Sequence, residues 1–320
     1  MTPLVRDPAS PPVPAPLPAP PGTRPPAARQ PRSGAASLAL RPLLDGPRRP
    51  ARVIAVFPAA VYAEVRGGPE PRVLAVVASD AARMPNAVVV PAARRDHPFR
   101  AVREGADAVV GDGRVETGGF AVRVRREWDP APVLGPLHPA ALARGLRAVE
   151  AACEHAGMTG GGLAGHPDPG LLAARCAAGD LAGAVEAAER IVGLGPGLTP
   201  SGDDVLCGLL VALRHAGGAV RPGGRAVWLA DWLGAAVTAD AGTRTTALAA
   251  TLLHCAAAGA AGAEVGAVLR CAAGAEPPGP AVRRLLAVGH TSGTDLAHGL
   301  LAGCRAAIAL TGPRWMSRAG

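Results

Sequence analysis

The chain changes character near residue 138, from short valine-rich segments to long alanine-rich ones, and this change limits the folds open to it. Before that point, valine-rich stretches are separated by Gly, Pro and Asp, a pattern typical of strands. After it, apolar residues recur over stretches long enough for helices. Strands followed by helices, without regular alternation, favour an α+β fold over a doubly wound sheet. We therefore predict a small, mostly antiparallel β domain followed by an alanine-rich α-helical domain.

The breakers between apolar runs set the predicted elements. An Asp-Gly turn at Asp112 and Gly113 predicts a hairpin. The other predicted strands cover residues 53–57, 61–66, 73–78, 87–90 and 120–124. The predicted helices cover residues 139–155, 171–191, 200–216, 226–239, 243–258, 281–287 and 292–310.

Proline marks the predicted domain limits. Residues 1–50 hold 15 of the 34 prolines, a density that opposes both helix and sheet. We predict a disordered tail there, or a translation start placed too early. The β domain is then expected over 51–135, the helical domain over 136–312 and a short tail over 313–320.

Composition narrows the function classes. All 33 basic residues are arginine, and residues 1–50 carry seven of them against two of the 25 acids, so the rest of the chain is nearly balanced. With only 2% aromatic residues to stack on bases, nucleic-acid binding is disfavoured. The six cysteines form no Cys-x-x-Cys pair, which argues against a zinc site and a disulfide framework. The N-terminus lacks an apolar leader, and the longest uncharged apolar run, 245–263, is mainly alanine. We expect a cytoplasmic protein without a membrane span.

One segment occurs twice, 91 residues apart, and is the most informative feature of the sequence. Both copies read Ser-Gly-x-Asp-x-x-x-Gly-Leu-Leu, beginning at Ser201 and at Ser292. In the first copy Pro200 suits the first helical position and Asp203 and Asp204 suit the first turn, so each copy predicts a helix start. Two matching helix starts suggest a shared, pseudo-symmetric site.

A glycine-rich run precedes the first copy, and such runs expose backbone amides that bind anions at helix starts. It lacks the Gly-Lys-Ser/Thr end of a Walker loop, and Pro196 interrupts any dinucleotide fingerprint. An ordinary turn and capped helix remain an open alternative. Likewise, Asp203 and Asp204 suit plain first-turn charges, His290 a capping or core residue, and Arg244 a surface arginine. Residues 94–97 read as a solvated loop.

The run Gly193-Leu194-Gly195-Pro196-Gly197-Leu198-Thr199-Pro200-Ser201-Gly202-Asp203-Asp204, with the later Gly289-His290-Thr291-Ser292-Gly293-Thr294-Asp295, resembles the AllH family of oxamate carbamoyltransferase subunits. The resemblance extends over roughly residues 50–312. It implies conversion of oxalurate and phosphate to oxamate and carbamoyl phosphate in allantoin breakdown, by a multi-subunit enzyme without a redox cofactor. The expected partners are small anionic substrates and other carbamoyltransferase subunits.

Chemistry then suggests roles for the marked residues. Backbone amides and hydroxyls would hold phosphate, Arg244 would bind a carboxylate and His290 would move a proton. Asp204 and Asp295 would orient these groups; if a metal such as Mg²⁺ is used, Asp203, Asp204 and Asp295 are its candidate ligands. The anion-binding candidates are Gly195, Gly197, Thr199, Ser201, Gly202, Arg244 and Ser292. Two alternatives stay open: a metal-dependent hydrolase of ADP-ribosylglycohydrolase type, and a non-catalytic scaffold subunit.

Overall fold

The computed structural model describes residues 31–312 and shows a β barrel followed by helices. The prediction that strands precede helices is thereby confirmed. The strands are β1 (Arg32–Ser37), β2 (Arg49–Phe57), β3 (Ala60–Val65), β4 (Val73–Val77), β5 (Ala87–Val89), β6 (Asp107–Gly111), β7 (Arg114–Thr117) and β8 (Phe120–Trp128). Residues 1–30 and 313–320 lie outside the described residues, and so do the predictions made for them.

The sheet closes on itself in the order β1-β5-β4-β3-β2-β6-β7-β8. Most neighbouring pairs are antiparallel, but β1 with β8 and β4 with β5 are parallel. The expectation of a mostly antiparallel sheet therefore needs correction to a closed barrel of mixed pairing. Closure removes the exposed edges that an open sheet would present to other chains. Branched valine and small alanine side chains fill the interior around a Phe99–Phe120 pair, with ring centroids 5.3 Å apart.

The predicted domain boundary at residue 50 is wrong. Residues 32–37 form β1 between β5 and β8, and α1 (Arg41–Leu44) buries two leucines before β2 begins at Arg49. The strand carries small residues because the barrel is tight there. A Cβ at Gly34 would lie 2.7 Å from a methyl of Val122. Without β1 the barrel would not close.

The helical part is built around one long buried core. Its helices are α2 (Pro139–His155), α3 (Asp168–Ala178), α4 (Leu181–Ile191), α5 (Ser201–Val220), α6 (Arg225–Thr238), α7 (Ala241–Arg244), α8 (Ala247–Ala257), α9 (Ala263–Ala272), α10 (Pro278–Leu286) and α11 (Ser292–Ala309). The single helix predicted over 171–191 is two, because Gly179 ends α3 in a left-handed conformation and Asp180 caps α4. Helix α9 was not predicted. Within residues 31–312, no helix combines the length and apolar character needed to cross a membrane.

Candidate functional site

The two copies of the repeated motif begin α5 and α11, and these helices pack against each other. A Cβ at Gly208 would lie 2.2 Å from the carbonyl oxygen of Leu296, and one at Gly299 would lie 1.9 Å from that of Val205. The two contacts are equivalent under the 91-residue offset of the repeat. Glycine at both positions thus lets the helix backbones touch, and the contact has an approximate two-fold relation.

The helix starts follow the same relation. A Cβ at Gly202 would lie 1.8 Å from the carbonyl oxygen of Ile191 at the end of α4. A Cβ at Gly293 would lie 1.9 Å from that of Leu285 near the end of α10. Each motif helix is therefore seated on the end of the helix before it, and the predicted pseudo-symmetric pairing of the two helix starts is seen in the fold.

Hydroxyl groups cross between the two copies. Thr199 Oγ1 lies 3.0 Å from Ser292 Oγ, and Ser201 Oγ lies 3.5 Å from Thr291 Oγ1. Each pair joins the serine of one copy to a threonine ahead of the other. We call Thr199, Ser292 and Asp204 the open half of the site, and Thr291, Ser201 and Asp295 the covered half.

The open half faces a cavity of about 660 Å³ between the barrel and the helices. Thr199, Asp204 and Ser292 all line it. Asp204 is only 4% exposed, and its Oδ2 has no hydrogen-bond partner among the described residues. A buried polar atom without a partner is costly, so this oxygen is suited to meet a ligand.

The covered half has no such access, because a glycine loop lies over it. Gly162 N donates a hydrogen bond of 3.0 Å to Asp295 Oδ1. A Cβ at Gly162 would lie 2.1 Å from Ser201 Oγ, and one at Gly161 would lie 2.1 Å from the same Asp295 oxygen. Only glycine fits in this space, so the loop acts as a permanent lining over Ser201 and Asp295.

Burial changes the acidity of Asp204. Loss of solvent raises the pKa of its carboxyl to about 8, and the nearby charge of Asp295 raises it further, against the opposing effect of the Ser292 and Thr199 hydroxyls. Near neutral pH this carboxyl is therefore mainly protonated. It can donate a proton to one ligand atom and accept a hydrogen bond from another.

Asp203 has a structural position. Its Oδ1 accepts a hydrogen bond from Gly193 N at 3.0 Å, and its Oδ2 accepts one from the hydroxyl of Thr245 at 2.5 Å. Both oxygens are thus occupied in joining the glycine-rich turn to the start of α8. Burial raises the pKa of Asp203, while these two hydrogen bonds oppose the rise.

Arg244 and His290 lie apart from the open half. The Arg244 guanidinium donates to the carbonyl of Glu189 near the end of α4 and lies 3.7 Å from Asp240. His290 is exposed and is not among the residues that line the cavity. Neither side chain therefore meets Asp204 in this conformation.

The predicted anion loop is largely occupied by its own hydrogen bonds. Gly202 N donates to Leu194 O at 2.9 Å, and Asp203 N donates to Pro200 O at 3.0 Å. Gly195 packs against Ser201 with φ +120°, a backbone angle that favours glycine, whereas Gly197 is exposed. The loop thus shapes the helix start more than it presents free amides.

Several cavity residues were missed from the sequence. Arg94, read as part of a solvated loop, lines the cavity together with Arg83, Arg284 and Cys207. No local motif marks these arginines, because their approach depends on how the barrel meets the helices. Burial raises the pKa of the Cys207 thiol, so it stays protonated and unreactive.

The three acids named as metal ligands do not form one coordination set. Among residues 31–312, no group of three or more His, Cys, Asp or Glu side chains is placed to hold a metal ion. Asp203 is turned away to Gly193 and Thr245, which leaves Asp204 and Asp295 in different halves. These acids do not fit a three-carboxylate magnesium site.

Fold and site together define an α+β protein in which two equivalent Asp-bearing helix starts meet beside a cavity. Residues 191–304 match the family model described as oxamate carbamoyltransferase subunit AllH. The match confirms the resemblance to this family over the segment that carries both copies of the motif. No curated protein and no solved structure matches the chain.

Proposed function

We propose that the chain is a subunit of an oxamate-type carbamoyltransferase and that its open half holds the carbamoyl group during transfer. The family match supports the class of enzyme. The observation that carries the placement is the unpartnered, buried Asp204 oxygen at the wall of the cavity, beside the Thr199 and Ser292 hydroxyls. Other carbamoyltransferase subunits are the proposed partners.

The reaction needs a proton at the leaving nitrogen. When phosphate attacks the carbamoyl carbon of oxalurate, a C–O bond forms and the C–N bond breaks, giving carbamoyl phosphate and oxamate. The departing amide nitrogen must gain a proton as it leaves. A protonated Asp204 supplies it, and in the reverse direction its carboxylate takes the proton back. Asp204 is thus better placed for this step than the exposed His290.

Hydroxyl groups supply the second requirement. As phosphate adds, the carbamoyl oxygen gains negative charge, and donors held in a water-poor site stabilise it. Thr199 and Ser292 share one hydrogen bond of 3.0 Å, so either hydroxyl can turn its proton toward a ligand. The pair therefore serves as the oxyanion donor in this scheme.

The two alternatives make different demands. A metal-dependent hydrolase would need a set of converging carboxylates, which Asp203, Asp204 and Asp295 do not provide. A scaffold subunit would not need a buried carboxyl open to a cavity. The open half therefore favours a subunit that contacts the substrate.

The test compares Asp204→Asn with Asp295→Asn in the assembled enzyme. The full chain would be tagged in its natural host and isolated with its associated subunits, and carbamoyl phosphate formation from oxalurate and phosphate would be followed. Loss of general acid catalysis lowers rates by about 10²–10⁴-fold, so we expect that loss for Asp204→Asn. Asp295→Asn should retain most of the turnover of the folded enzyme, because Asp295 lies behind the glycine loop. Equal turnover in the unaltered and Asp204→Asn enzymes would refute the placement.

A further inference from the structure

The cavity beside the open half is far more apolar than a two-carbon acid requires. Ligand pockets of about 300–1,000 Å³ enclose drug-sized molecules, and this cavity of about 660 Å³ falls within that range. Oxamate and oxalurate have no hydrocarbon body and would leave most of the wall in contact with water. The apolar wall includes Phe57, Val77, Leu198, Leu248, Leu252 and Val265.

Charge is concentrated at the solvent-facing side. Arg83, Arg94 and Arg284 line the cavity and are exposed, whereas Asp204 is buried. Two acids, Asp80 and Glu264, also line it, but Asp80 already accepts a hydrogen bond from Arg94 N at 2.8 Å. None of the three arginines forms an ion pair with an acid among residues 31–312. Their guanidinium groups are therefore free to bind a carboxylate at the mouth.

The cavity thus has a polar inner end, apolar walls and a basic mouth. We infer that its occupant is a carbamoyl acid with an aliphatic or aromatic body, its carbamoyl group directed to Asp204, Thr199 and Ser292 and its carboxylate to the arginines. The choice of a carbamoyl group rests on the proposed function, whereas the apolar body and the carboxylate follow from the cavity itself. A carboxyl that donates one hydrogen bond and accepts another matches the C=O and N–H of a neutral carbamoyl group.

Calorimetric titration of the full chain would test this with three probes that differ in one part each. N-carbamoyl-leucine has all three features, N-carbamoylglycine lacks the apolar side chain, and N-carbamoyl-leucinamide lacks the carboxylate. Burying a leucine side chain corresponds to about 10- to 100-fold in affinity, so we expect the leucine compound to bind that much more tightly than the glycine compound. Loss of the carboxylate should weaken binding by about tenfold.

A cavity-filling variant gives the matched control. Ala81 is a half-buried loop residue that lines the cavity, and Ala81→Trp would fill the space intended for the apolar body. The preference for the leucine compound should then disappear. Ala275→Trp places the same ring on an exposed loop residue that does not line the cavity, and it should keep the preference.

Equal affinity for the glycine and leucine compounds, or an unchanged preference in Ala81→Trp, would overturn the inference. The unaltered chain alone decides the first point if the variant does not fold. Failure of the proposed function is separable. A preserved preference for the leucine compound, with no carbamoyl transfer from any probe or from oxalurate by the assembled enzyme, would refute transfer and leave the ligand's shape intact. Turnover of oxalurate without the preference would do the reverse.

Discussion

The two copies of the repeated motif share their residues and their helix contacts but differ in what lies in front of them. The open half faces a cavity, and Asp204 has an oxygen without a partner there. In the covered half, Gly161 and Gly162 fill the equivalent space and Asp295 accepts a backbone hydrogen bond. A duplicated motif therefore does not imply two working sites. One copy can supply the chemistry while the other closes the fold around it.

The largest expected effect comes from removing the hydroxyl pairs, one half at a time. The double variant Thr199→Val with Ser292→Ala should lower kcat by about 100-fold or more, because it removes the donors for the carbamoyl oxygen. The double variant Thr291→Val with Ser201→Ala should leave kcat within a few-fold. Replacing both partners of a buried hydrogen bond leaves no orphaned group, so its cost to stability should be about 1 kcal/mol or less.

Steady-state kinetics of the two assembled double variants, with melting temperatures to verify folding, would measure this difference. A similar loss of kcat in both would show that the two halves work together. That result would contradict the division into an open and a covered half.

The second prediction concerns the glycine loop over the covered half. Gly162→Ala should destabilise the fold by about 1–3 kcal/mol, because its Cβ would lie 2.1 Å from Ser201 Oγ and 3.1 Å from Ser201 Cβ. Gly170→Ala is the control, since Gly170 lies in α3 with open space around it, and there alanine should stabilise by up to about 1 kcal/mol. Urea unfolding would measure both. Equal stability of the two variants would show that the loop is not packed on Ser201.

Part of this arrangement could be predicted from the sequence. The repeated Ser-Gly-x-Asp pattern predicts two equivalent helix starts, because its proline, serine and acid residues suit an N-terminus wherever they occur. Which copy is open could not be predicted, since that depends on where residues 160–162 pack. The same limit applies to Arg94, which local sequence assigns to a solvated loop and which tertiary contacts bring to the cavity.

The fold shows the same limit. The strands that alternate or run in valine were predicted, whereas β1 was not, because its small residues have weak strand character and follow a proline-rich segment. It is a strand because β5 and β8 leave a place for it. The break between α3 and α4 did carry a local signal, Gly179 followed by Asp180, which the alanine-rich periodicity on both sides obscured.

The third prediction uses the acidity of Asp204. Its pKa is about 8 in the folded chain and near 4 when unfolded, so between these values the folded state binds one more proton than the unfolded state. Stability from this group is complete below about pH 4 and is lost as pH rises toward 8, at up to about 1.4 kcal/mol per pH unit. Asp204→Asn should remove this slope and leave the variant more stable than the unaltered chain above pH 8.

Urea unfolding at a series of pH values from 4 to 9 would test this, with the unaltered chain and Asp204→Asn measured side by side. Parallel stability curves for the two proteins would contradict a buried, protonated Asp204.

The smallest effect is expected at Arg244, which marks the outer limit of the open half. Its guanidinium donates to Glu189 O and lies 3.7 Å from Asp240, so Arg244→Ala should lower stability by about 1 kcal/mol. The KM for oxalurate should stay within about two-fold, because Arg244 does not line the cavity. Arg94→Ala, which removes a cavity arginine, should raise KM several-fold with little loss of stability. If instead Arg244→Ala raises KM and Arg94→Ala does not, the carboxylate is bound where the sequence alone placed it, and the cavity is not the substrate site.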